Sequence, residues 1–185
     1  MLKRTVLLAL TLSSGCAVHQ VQRGPRLDPS SRWVLLPMMN FAETPQAGER
    51  SESILATLLR IHGVAGLTQY PVATSDTDLP ELDERRRYEA ALAWGKSAGF
   101  TYGVTGSVQE WRYRSGLDGE PAVGLSIQVI DLATGRVVWS ATGARSGWGR
   151  DSVAGTAQKL LDRLLADLQL EAPPTAPDSS IAHRP

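Results

Sequence analysis

The sequence holds one cysteine, Cys16, so no disulfide can form within the chain and the fold must stand on its hydrophobic core. Its histidines, His19, His62 and His183, are scattered, and no pair has the spacing of a metal site. Serines and aspartates are plentiful, but no histidine base stands in a pattern that would activate one. The G-x-S-x-G turn of serine hydrolases is missing. Gly99, Gly103 and Gly106 are followed by no Lys-Ser or Lys-Thr, so they do not make a phosphate loop. These absences argue against an enzyme and call for no metal or cofactor. Excess charge is lacking as well: 19 basic residues balance 19 acidic ones. A nucleic-acid binder would show a basic face. No apolar run reaches the roughly 20 residues that a membrane-spanning helix needs.

What is present begins with a leader. Lys3 and Arg4 form a basic start, Thr5 to Leu12 a short apolar core, and Ser13, Ser14 and Gly15 a small-residue stretch before Cys16. That order describes a cleaved export signal. Small residues directly before a single cysteine resemble the lipobox of bacterial lipoproteins, whose cysteine is acylated and becomes the first mature residue. The plainer alternative is an ordinary secretory signal in which Cys16 has no role. Each buried CH₂ contributes roughly 0.8 kcal/mol, so several acyl chains make a durable anchor. Ala17, not Asp, follows Cys16, which within the lipoprotein resemblance implies the outer membrane.

Removing the leader takes Lys3 and Arg4 with it and leaves 17 basic against 19 acidic residues, a net of −2. With 42% hydrophobic and 21% charged residues, the whole chain has the composition of a globular protein. Residues 16–31 are polar, with Gly24, Pro25 and Pro29, and read as a lipidated cysteine plus tether. Residues 32–170 read as one domain. Residues 171–185, EAPPTAPDSSIAHRP, have no periodicity and are expected to be disordered.

Within the domain, RWVLLPMM (residues 32–39) suits a strand buried on both faces. Thr44-Pro45 reads as a helix cap followed by Pro at the first helical position. Ile54, Leu55, Leu58 and Leu59 follow at helical spacing, with Gly63 as the stop. Residues 67–72 form a short strand candidate, and 82–98 a second helix ended by Gly99. Residues 102–113 and 122–131 alternate with period two, and 136–144 continue after a tight turn ending at Gly135. A last helix begins near Asp151-Ser152 and carries a stripe from Val153 to Leu168. The order β-α-β-α-β-β-β-α predicts an α/β fold, a single mixed sheet with packed helices.

Two segments stand out. The loop 114–120 carries Asp118 and Glu120, which are either simply solvated or a recognition surface for cations. The second role requires an oligomer that multiplies the pair around an opening. Trp148 lies between Gly147 and Gly149, with Arg145 and Arg150 beside it. It either folds back on the core or meets a membrane, where the arginines suit anionic head groups. Trp33, Trp94, Trp111 and Trp139 lie in regular elements and are expected in the core or an interface. Arg85 to Arg87 form a solvated helix face or, in an assembly, meet acids such as Glu49 or Glu52 of the next copy.

The run RWVLLPMMNFAETPQAGERSESILATLL, followed by YGVTGSVQEWRYRSGLDGEPAVGLSIQVIDLATGRVVWSATGARSGWG, resembles the PelC family of exopolysaccharide-secretion lipoproteins. The hairpin D-x-A-T-G-x-V-x-W, Asp131 to Trp139, is similar more broadly to the curli-secretion lipoproteins and the N-terminal domain of TolB. The PelC resemblance implies a non-catalytic homo-oligomer, a dodecameric ring lipid-anchored through Cys16 on the periplasmic face of the outer membrane. It implies an acidic funnel, with Asp118 and Glu120 the candidates here, that guides a cationic polysaccharide, Pel, to the porin PelB for the biofilm matrix. It also implies that Trp148, with Arg145 and Arg150, faces the membrane. The alternative, from a related fold, is a monomeric lipoprotein activator of a cell-wall synthase. That role needs reach, and the fifteen tether residues extend at most about 50 Å.

Overall fold

Alternation of apolar and polar residues along three successive strands builds the centre of the molecule. The computed structural model describes residues 17–22, 24–71, 84–115 and 119–171. In chain order the elements are β1 (Ala17–Gln22), β2 (Trp33–Leu35), β3 (Met39–Asn40), α1 (Ala47–Ile61) and β4 (Leu67–Gln69), then α2 (Glu84–Ser97), β5 (Tyr102–Tyr113), β6 (Pro121–Asp131), β7 (Arg136–Ser146) and α3 (Val153–Leu165). They form one mixed sheet in the order β1-β7-β6-β5-β2-β4, with β3 also on β5. The strands from β5 to β7 and on to β1 are antiparallel, whereas β2 pairs in parallel with β4 and β5. The expected fold class is the observed one.

Successive side chains of a strand point to opposite faces, and the core divides accordingly. Trp33, Leu35, Val104, Val108, Leu125, Ile127 and Trp139 pack under α1 and α3. Val34 and Leu36 point the other way, to a smaller cluster under α2 with Ala91, Phe100, Ile130 and Leu132. Helix α2 covers only that parallel half. Over the antiparallel half the same face bears two rows of uncharged polar side chains, set by the register. One row runs Gln20, Thr142, Ser126, Ser107 and the next Gln22, Ser140, Gln128, Thr105.

Local signals hold at several ends. Ser152 caps α3 by accepting from the Gly155 N–H at 2.9 Å. Gly135 takes φ 72° in the β6–β7 turn, where its N–H reaches the Asp131 carbonyl at 2.8 Å. The strands over 102–131 match expectation to within one residue, and β7 runs two residues further than expected, to Ser146.

Four expectations change. The tether does not hold over its whole length: Ala17–Gln22 is a strand on β7, and Leu27 is buried and bridged to Leu170. The apolar run 32–39 is split, because Pro37 has no N–H to continue a ladder. Its carbonyl instead accepts from the Thr105 hydroxyl at 2.6 Å. Thr44 does not cap α1; its hydroxyl donates to the Trp111 carbonyl, and Gln46, at φ 58°, precedes the helix. Arg87 meets Glu52 at 3.1 Å and Glu49 at 3.6 Å within the chain. The signal, Cys16, the start of the second helix at 82–83, Asp118 and residues 172–185 lie outside the described residues.

Glu52 ties α1 to α2 and to the link between β2 and β3. Its carboxylate accepts from the Met38 N–H at 2.8 Å and from Arg87 of α2, with the side chain only 15% exposed. Burial pushes its pKa above the ordinary 4.5, against the opposing pull of the Met38 N–H and Arg87. Glu52→Ala strands the Met38 N–H and leaves Arg87 with Glu49 as its paired acid, and is expected to cost about 2 kcal/mol in urea unfolding at pH 7. A raised folded-state pKa means that the folded chain holds this proton more tightly than the unfolded chain. Wild-type stability relative to Glu52→Gln should therefore rise as pH falls from neutral toward 4.5. A difference that stays flat over that range would contradict the assignment.

Candidate functional site

The loop between β7 and α3 closes on itself and leaves its tryptophan outside. Gly147 N–H donates to the Pro121 carbonyl at 2.8 Å, tying the loop to the start of β6. Asp151 N–H donates to the Trp148 carbonyl at 2.8 Å, and the Asp151 carboxylate accepts from the Trp148 N–H at 3.2 Å. Lys159 lies 3.4 Å from the same carboxylate. The Trp148 N–H, followed by Lys159, holds the Asp151 carboxyl below its ordinary range. With the backbone pinned this way, Trp148 is 59% exposed while Gly147 beside it is buried. The alternative in which the indole folds back on the core is not the one adopted.

Arg145 is half-buried, with its Nε lacking a hydrogen-bond partner among the described residues, and Arg150 is exposed. Tyr113, 54% exposed, pairs with Pro121 and so stands at the same end of the sheet. Ala17 is in register with Arg145, which sets the residue after Cys16 at this end too. Neither Tyr113 nor the N-terminal strand was singled out from the sequence. The register is a long-range property, and the only local trace of it is the alternation in AVHQVQ.

The two candidate funnel acids are treated unequally. Glu120 is half-buried at the start of β6, and its carbonyl accepts from the Arg114 N–H at 2.7 Å. Asp118 lies outside the described residues. A third acid nearby, Glu110, is bound to Arg112 at 3.0 Å and lies 3.9 Å from Arg114. Two histidines pair with α3 or the residues just after it, His62 with Asp162 at 2.8 Å and His19 with Asp167 at 3.4 Å. Among the described residues, no group of three or more His, Cys, Asp or Glu side chains is placed to hold a metal ion. An exposed indole with Arg145 and Arg150 beside it thus stands at the end of the sheet where β1 begins.

No protein-family model and no curated protein sequence matches the chain. Solved structures do. The PelC dodecamer from Paraburkholderia phytofirmans is 35% identical, covering 85% of this chain and 100% of that one, with a TM-score of 0.71. A single-substitution variant of that protein, also a dodecamer, gives 35% identity, 84% and 100% coverage, and a TM-score of 0.72. Lipoprotein GNA1162 from Neisseria meningitidis, 14% identical over 74% of this chain and 96% of its own, shares the fold with a TM-score of 0.50.

The close approach at Gly147 gives a test of the pinned loop. A Cβ there would lie 2.6 Å from Thr156 Oγ1, 2.8 Å from Pro121 Cγ and 2.9 Å from Asp151 Oδ2. Gly147→Ala should cost about 1–3 kcal/mol and lower Tm by several degrees in a thermal melt. An unchanged Tm would mean that the loop is not held as described.

Proposed function

The chain belongs to the PelC family, and from that membership we propose that it is an outer-membrane lipoprotein that guides exopolysaccharide export without catalysing a reaction. Cys16 carries the acyl chains. Copies assemble into a periplasmic ring, twelve in number as in the Paraburkholderia relative. Asp118 and Glu120, repeated around the opening, focus a negative field that draws a cationic polysaccharide, Pel, to the export porin PelB. The product is the biofilm matrix. Trp148, with Arg145 and Arg150, rests against the membrane.

The observation that carries this reading is the 35% identity over the full length of a chain that forms a dodecamer. The start of β1 supports it. The strand begins at Ala17, directly after Cys16, and pairs with Arg145. An acyl group on Cys16 would then sit within a few residues of the exposed indole, and both would serve one membrane contact. An activator that must reach a distant cell-wall synthase needs free chain between lipid and domain, and the pairing of 17–22 removes that slack.

Light scattering of the purified chain over a concentration series should give a discrete mass near twelve copies. A strict monomer at every concentration, on lipid vesicles as well as in solution, would sink the ring. Cys16→Ala should abolish polysaccharide export at normal protein levels. Wild-type export by that strain would remove the anchor from the mechanism.

A further inference from the structure

The two edges of the sheet are treated differently. Strand β4 is three residues long, and Arg60 donates to its Leu67 carbonyl at 3.2 Å. Strand β1 is twice as long and carries no lysine, proline or acid, and its Val18 is 66% exposed. Proteins blunt edge strands with such residues because an open edge templates pairing with another chain. Here that protection is absent at one edge only.

The face beside β1 is also unusual. In a chain with 21% charged residues, the two rows from Gln20 to Ser107 and from Gln22 to Thr105 contain none. Depletion of charge marks the centre of protein interfaces. Several of the polar groups bond to one another. Gln109 donates to Ser107 and Ser126 at 2.8 Å, Ser126 meets Thr142 at 3.1 Å, and Ser140 donates to Gln22 at 3.3 Å. Groups bonded to each other lose little when covered. A groove of about 420 Å³ runs between β1, β7 and β6 on this face.

We propose that the β1 edge and this uncharged face bind a second copy of the chain, head to tail, with the neighbour's Phe41 side as the matching surface. Phe41, 68% exposed, follows β3, and its N–H donates to the Val108 carbonyl at 2.8 Å. It thus stands on the flank of β5 away from β6, opposite β1. Two different patches on opposite flanks make a heterologous contact, the kind that closes into a ring. Strands about 4.8 Å apart and two residue rows about 7 Å apart give the four-stranded face about 260 Å². That is about a third of the ~800 Å² per partner in a standard interface; the open backbone of β1 and the Phe41 ring add to it. The inference rests on the ring reading and names the surface that builds it.

The test uses the mature lipidated chain in detergent, with mass read by sedimentation. Gln20→Arg and Phe41→Asp alter exposed positions, so each should lose the assembly while keeping the wild-type Tm. Mixed one to one, the two variants should give dimers and nothing larger, since only one pairing has both patches intact. A chain carrying both Gln20→Cys and Phe41→Cys should form a ladder of covalent multimers on oxidation, and neither single variant should. Full assemblies from both charge variants, or disulfide dimers from Gln20→Cys alone, would overturn this surface and leave the ring reading standing. A monomeric wild type would overturn both.

Discussion

The pleat of β5, β6 and β7 commits every second side chain to one core. Val104, Val108, Leu125, Ile127 and Trp139 face α1 and α3, and no one-residue slip is tolerable, because a slip would turn each of them toward solvent. That constraint fixes the rest. It aligns Gln128 with Ser140 and Ser126 with Thr142, so the polar rows on the opposite face follow from the same register as the core. It sets where β7 ends, hence where Trp148 emerges. It leaves β7 with a free edge on which β1 adds.

The addition of β1 is held by fit as well as by ladder bonds. A Cβ at Gly143 would come within 2.8 Å of the Val18 carbonyl, and one at Gly24 within 1.9 Å of the Val138 carbonyl. The bare glycines let the N-terminal segment lie against β7, while Val21 packs on the main core. The lipid attachment proposed at Cys16 would therefore pull on a strand of the sheet and not on a loose arm. A rigid attachment fixes the orientation of the domain on the membrane, which a flexible one would not. A funnel needs one end turned to a pore, so orientation matters as much as anchoring.

The parts legible in the sequence are those with local causes. Alternation located β5 and β6 because both strands are long, and Ser152 announced α3 because a cap is a contact between neighbours in the chain. The parts that were not legible depend on distant partners. AVHQVQ alternates only weakly and is flanked by polar residues, so it looks like linker until β7 is seen beside it. Thr44 has the form of a cap, but its hydroxyl is taken by the Trp111 carbonyl, 67 residues away. The arginine run offered either a solvated face or Glu49 and Glu52 of another copy, because helix spacing says nothing of how α2 packs beside α1, where Arg87 meets both acids within the chain. The site divides in the same way. Glycines on both sides of Trp148 indicated an unsupported indole, and its exposure follows. The nearness of Ala17 to Arg145 needed the register.

The uncharged face and the open edge belong to one problem. Solvated antiparallel sheets generally face water with a polar surface, and soluble chains intersperse charge over it to stay apart. This chain spends its charges elsewhere: on α2, around Glu110 with Arg112 and Arg114, and beside Trp148. A neutral face next to an unprotected edge is a liability for a monomer, because it invites the pairing that edge charges prevent. It is no liability if the face is covered in the working state. In an open filament each end would still expose it, whereas a closed ring exposes it nowhere. On the proposed reading, the lack of charge on this face and the lack of free ends in a ring are the same solution. The charges that the polymer would meet then have to come from outside the two rows, from the loops at the end of the sheet where Glu120 stands.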